Sequence, residues 1–272
     1  MNSPSYCRVA SAILGIFSLL GTAACSTAEN DSLKETPPAG WPQSLSDFSM
    51  TWTAEPGIDL TKRPAVVARA YIESFYLADF TDDERYLYPG FEGSVSRNQS
   101  DGPEGSDSLW PASDGADAVV GTFRQHLLRI DQSGQDVSVV GCMYTYDSAL
   151  EVGGKFKANT ENGPFGGINA FRVELQAPKD DDLLPPQQGP SRAPFGNVFG
   201  NWKVTNHQGG YLVTAEWPNH SEDNEQCLAR SGVTPESRKF YPGTTYQRSD
   251  FPVLPATPGW PAESDTSTHE PR

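Results

Sequence analysis

Basic side chains are in short supply. Lys and Arg number 20 against 35 Asp and Glu, a net charge of −15. A field of that sign repels phosphate backbones and anionic headgroups, so it excludes nucleic-acid or membrane-surface binding through general electrostatics. Apolar residues make up only 36% of the chain, and 25 Gly and 23 Pro punctuate it. Such material builds one core with long irregular flanks. The apolar stretch over residues 9–24 has 16 positions, short of the about 20 that a helix needs to span a bilayer. Histidine is scarce as well: His126, His207, His220 and His269 are the four, and no HExxH frames any of them. No GxSxG or SxxK presents a nucleophile, and no GxGxxG or GxxxxGK[ST] cradles a phosphate. The common frameworks for zinc hydrolysis, acyl transfer and nucleotide binding are therefore missing. No metal and no cofactor is expected.

What is present begins with that short apolar run. Preceded by Arg8 and closed by the small residues Thr22, Ala23 and Ala24, it has the make-up of an export signal, residues 1–24. Cys25 follows at once. "TAAC" resembles the bacterial lipobox, in which a cysteine at +1 is diacylated and becomes the new N-terminus; Thr22 departs from the Leu that pattern prefers. An ordinary signal peptidase also accepts these small residues, so cleavage with full secretion is the alternative. Two acyl chains would hold the protein on the outer face of the cell membrane, each buried methylene adding roughly 0.8 kcal/mol. Cys7 falls in the leader, which leaves Cys142 and Cys227 in the body. In an exported chain the simplest expectation is that they form a disulfide.

Residues 25–50 are rich in Ser, Thr, Pro and acid, and read as a flexible tether. Residues 51–232 read as one α+β domain, and 233–272 as a Pro/Ser/Thr-rich, largely irregular tail, disordered from 255. In "TKRPAVVARAYIESFYLADF", Ala68, Tyr71, Ile72, Phe75 and Tyr76 form a helical stripe, with Arg69 and Glu73 pairing at i, i+4 on the outer face. A second helix is predicted in "DGADAVVGTFRQHLLRI", with the stripe Ala116, Val119, Val120, Phe123, Leu127 and Ile130 and a cap at Ser113 or Asp114. The period then changes to two. "QDVSVVGCMYTYDSALEV" is apolar on both faces, as a central strand is. "NAFRVELQA" alternates as a half-buried strand. "VFGNWKVTNHQGGYLVTAEWP" reads as a hairpin turning within residues 206–210, and "NGPFGG" as a hairpin loop. His220 falls in a polar loop. The acid run "KDDD" at residues 179–182 lacks the spaced ligands of a calcium loop and reads as solvated.

Helices first and antiparallel strands afterwards give helices packed on one face of a curved antiparallel sheet. That order resembles the NTF2-like (SnoaL-like) cone over about residues 52–218. "AEPGIDL", "RAYIES", "YPGF", "LLRI", "VFGNWKVT" and "PGWP" are similar to a group of actinobacterial exported proteins and lipoproteins to which no activity is assigned. The cone implies a pocket between helix and sheet. There Asp79, at i+7 from Ile72, would be the candidate base, and Tyr71, Tyr76, Tyr144, Tyr146 and Trp202 or Trp217 the lining. The chain is thus expected to be a non-enzymatic envelope lipoprotein that binds a small apolar ligand or an envelope protein. The alternatives are a pocket enzyme of isomerase or hydrolase type and an accessory subunit of an envelope complex.

Overall fold

The computed structural model describes residues 40–97, 109–111, 115–163, 165–209, 217–234 and 237–263. All of these belong to one unit, Pro37–Arg272. The stretches expected to be leader and tether up to residue 39, with Cys25, and also Ser113, Asp114 and His269 lie outside the described residues.

The fold is α+β. A curved, unclosed sheet of eight strands runs in the order β7-β6-β3-β2-β4-β5-β8, with β1 added beside β2. The strands are β1 Phe48–Ala54, β2 Val119–Ser133, β3 Asp136–Tyr144, β4 Ser148–Val152, β5 Lys155–Ala158, β6 Ile168–Gln176, β7 Lys203–Gly209 and β8 Thr245–Tyr246. All pairings are antiparallel except β1 with β2. The helices are α1 Ala65–Thr81, the single turn α2 Phe91–Ser94, and α3 His220–Ser231.

Several expectations hold. The helix α1 starts directly after Pro64 and ends at Asp82, a left-handed residue at φ 51°. The central strand is β3, flanked by β2 and β6. Val137, Val139 and Met143 join the core under α1, while Val140, Cys142 and Tyr144 face the other side. On β6 the inward set is Phe171, Val173 and Leu175.

Others are corrected. The predicted second helix is the 15-residue strand β2. The positions Val119, Phe123 and Leu127 are spaced by four, which satisfies a helical stripe and a strand face equally. The deciding residue is Gly121, which takes φ +94° where β2 passes from β4 to β3. A Cβ there would lie 2.4 Å from the Asp147 carbonyl oxygen. The hairpin turn expected within 206–210 is strand through residue 209: His207 pairs with Val173 and Gln208 with Arg172. The β6–β7 pairing carries a register shift around Thr205. The "NGPFGG" segment joins β5 to β6, which do not pair, so it is a connection across the sheet and not a hairpin loop.

The ends of the chain also differ from expectation. Residues 40–50, read as tether, place Leu45 in the core from the turn before β1, and Phe48 and Met50 because alternate residues of β1 face α1. Residues 255–263 are packed, not disordered: Trp260 is buried, and the Trp52 N–H donates to the Thr257 carbonyl. His220 opens a helix, α3, that sequence reading missed. Only two of its residues, Asp223 and Cys227, are buried, too few for an apolar stripe. Long-range bonds hold it down instead. The Cys142–Cys227 disulfide ties it to β3. Asp223 accepts a bidentate pair of hydrogen bonds from Arg129 on β2 and another from Trp217 Nε1 at 2.9 Å. Because α3 lies against the face opposite α1, the helices are not confined to one face of the sheet.

Candidate functional site

Polar chemistry gathers on both sides of the sheet. On the α1 side every helix residue except Asp79 and Thr81 is buried, so Arg69 and Glu73 are interior and not on an outer face. The cause is cover from the chain ends: β1 lies on one flank and the Trp260 segment on the other. Glu73 Oε1 accepts from Trp52 Nε1 at 2.7 Å, and Oε2 accepts from Trp260 Nε1 at 2.7 Å and Tyr88 Oη at 2.9 Å. Arg69 donates to the carbonyls of Leu60 (2.7 Å), Gly259 (2.9 Å) and Gln187 (3.3 Å), with its guanidinium 4.4 Å from the Trp260 ring centre. Burial pushes the Glu73 carboxyl up, and Arg69 and the three donors pull it back. The hub joins α1 to β1, to the loop after α1 and to the C-terminal segment, with nothing open to a ligand.

His207 belongs to this dry side. It is buried against Tyr71, whose Oη lies 3.3 Å from Nδ1, and burial pulls its imidazole down to about 3. The Tyr71 hydroxyl donates to the Leu109 carbonyl.

The other face carries a polar strip. Ser49 and Thr53 of β1 meet Thr122 and His126 of β2, Ser49 Oγ lying 3.1 Å from Thr122 Oγ1 and Thr53 Oγ1 2.8 Å from His126 Nδ1. His126 Nε2 reaches Glu55 at 3.2 Å, and Glu55 takes Arg230 of α3 at 2.7 Å. Beside this strip opens a cleft of about 270 Å³. Arg124 of β2, Tyr146 and Asp147 of the β3–β4 turn, the end of α3 at Ser231 and Gly232, and Val233, Ser237, Arg238, Lys239 and Phe240 line it. Arg124 Nε lies 2.9 Å from Asp147 Oδ2, and Nη2 donates to the Tyr146 hydroxyl. The guanidinium sits 5.0 and 5.4 Å from the Tyr146 and Tyr144 ring centres. Burial pushes the Tyr146 hydroxyl up to about 12, so it stays protonated and donates to the Ser231 carbonyl. Burial also pushes Asp147 up, against Arg124 and Lys239. A wider concavity of about 890 Å³ lies between residues 92–97 and 203–205, and its described walls end at Arg97 and Leu109.

The sheet separates the expected lining residues. Tyr71, Tyr76 and Trp202 are packed in the core on the α1 side. Tyr144 and Tyr146 lie on the α3 side, 6.0 Å apart, and of the five only Tyr146 lines the 270 Å³ cleft. Tyr144 donates to the Cys227 carbonyl at 3.1 Å. Trp217 stacks against Arg172, 5.7 Å away. Asp79 is half-buried at the end of α1, and burial, with Asp117 and Asp82 nearby, pushes its carboxyl up; it lines neither cleft described above. Within the acid run, Asp181 pairs with Arg63 at 2.6 Å. Among the described residues no group of three or more His, Cys, Asp or Glu is placed to hold a metal ion, and no helix is long and apolar enough to cross a membrane. Arg124, Asp147, Arg238 and Lys239 are the cleft residues that sequence reading missed. A strand assignment for β2 would have put Arg124 and His126 on one face.

No family model, no curated protein and no solved structure matches this chain.

Proposed function

We propose that this chain is a cell-envelope lipoprotein whose domain binds a small ligand in the α3-side cleft without transforming it. The observation that carries the reading is the cleft itself. Its polar groups converge on one space, between Arg124 on β2, Tyr146 in the β3–β4 turn and Lys239 on the segment after α3. Its volume, about 270 Å³, lies just under the range of about 300–1,000 Å³ usual for ligand sites. Export and acylation at Cys25 are supported by the leader composition and the lipobox resemblance. The NTF2-like cone is proposed on the strength of α1 packed across a curved, unclosed sheet. Partner binding through the same face is the second use the cleft allows.

Two experiments test the proposal. Protein purified from its native envelope is extracted and the small molecules are identified by mass spectrometry, for the wild type and for Val233→Trp, which fills the cleft. A stoichiometric compound lost in the variant is the expected result; identical extracts would overturn the cleft as the site. Separately, Cys25→Ala should move the protein out of the membrane fraction, and continued retention there would defeat acylation.

A further inference from the structure

The cleft departs from the charge of the whole. The chain carries 35 acidic and 20 basic residues, yet three cations, Arg124, Arg238 and Lys239, line this one space beside a single carboxylate, Asp147. The last turn of α3 adds about half a negative charge at Ser231 and Gly232, and the balance stays positive. Arg124 is presented, not absorbed. Its Nε faces Asp147 and its Nη2 donates to Tyr146, and among the described residues nothing accepts from Nη1. Two tyrosine rings, Tyr146 and Tyr144, flank the guanidinium at 5.0 and 5.4 Å. Opposite stand apolar walls: Phe240, buried and stacked on Phe251 with ring centres 4.6 Å apart, and Val233. A planar fork with a free donor beside an ammonium is the arrangement that receives a carboxylate.

Resting on the cleft being the ligand site, we infer that its ligand is a small monocarboxylate with an apolar or aromatic body. The carboxylate meets Arg124 Nη1 and Lys239, and the body lies between Tyr146, Val233 and Phe240. Asp147 opposes the anion and limits affinity.

The test is a titration of the full-length protein with benzoate, acetate (charge without ring) and benzamide (ring without charge), followed through the backbone amides of Gly166 and Gly232. Benzoate should shift both, and benzamide and acetate should bind at least about tenfold more weakly, one charge-assisted bond or one buried ring being worth that much. Arg124→Gln should weaken benzoate about tenfold or more, the loss of a charge-assisted hydrogen bond, while Asp147→Asn tightens it. Lys239→Gln, at an exposed position that leaves the fold intact, should weaken it by several-fold and reduce its salt dependence. Benzamide binding as tightly as benzoate at the same amides would overturn the anionic class and leave the cleft reading standing. Acetate equal to benzoate would overturn the apolar body. If none of the three moves these amides, both this inference and the cleft reading fall.

Discussion

Two clusters combine arginine, carboxylate and aromatic rings on opposite faces of one sheet, and they behave as opposites. In the Glu73 hub both carboxylate oxygens are occupied, by three N–H and O–H donors, and Arg69 is spread over three carbonyls of three segments. In the Arg124 cleft the guanidinium keeps a donor in hand, and its carboxylate partner is about one-third exposed. The same residue types make architecture where both carboxylate oxygens and both terminal guanidinium nitrogens are bonded by the chain and the pair is buried. They make a binding surface where one bond is left for a visitor. Buried charge without a partner costs several kcal/mol, so the hub has no freedom to vary. The cleft, screened by solvent, contributes little to stability and is free to recognise.

The sharpest way to break this contrast is at Glu73. Glu73→Ala strands three donors and Arg69 in the interior, and a loss of about 5 kcal/mol is expected, the upper end for removing one partner of a buried charge; urea denaturation measures it. A Glu73→Ala protein that unfolds at the wild-type midpoint would remove the hub's structural role.

The next effect is on pH. The imidazole of His207 is held near 3 by burial, against 6.5 in the unfolded chain. The unfolded state then binds the extra proton between these limits. Stability from keeping His207 neutral is present in full above pH 6.5 and falls as pH drops towards 3, by about 4–5 kcal/mol in all. Urea midpoints across that range should show the fall for the wild type, and His207→Gln should flatten it.

Third comes the tether of α3. Cys142 and Cys227 close a loop across 85 positions, worth about 4 kcal/mol on the chain-entropy view. The double substitution Cys142→Ala, Cys227→Ala should lose that much in denaturation. It should also loosen the cleft, because α3 supplies Ser231 and Gly232. Unchanged amide exchange along α3 in that variant would show that the polar bonds of Asp223, Asn224 and Arg230 hold the helix without the disulfide.

How far the sequence carried to this point depends on which face a residue serves. The helix α1 and the strands β3 and β6 were legible because their apolar periods are unambiguous. The strand β2 was not, since spacing by four serves both periods and only Gly121's backbone tells them apart. The hub was hidden because Arg69 and Glu73 at i, i+4 look like a solvent-facing pair. What buries them is Trp260, 187 positions downstream of Glu73, in a segment whose composition reads as disordered. Helix α3 was hidden because cross-links, not an apolar stripe, hold it. The cleft is assembled from β2, the β3–β4 turn and the chain after α3, so no local pattern announces it. The disulfide alone followed directly from counting cysteines, two being left in the body once residues 1–24 are read as a leader.

The smallest stability effect and the largest binding effect should coincide at Arg124. One measurement joins them: urea denaturation and benzoate titration on the same Arg124→Gln sample. The expected result is a stability change within about 1 kcal/mol, as for a solvent-screened ion pair, together with benzoate affinity reduced about tenfold or more, the loss of a charge-assisted hydrogen bond. A variant that keeps its benzoate affinity while losing several kcal/mol of stability would contradict the division, placing Arg124 with Glu73 among the residues that only hold the fold.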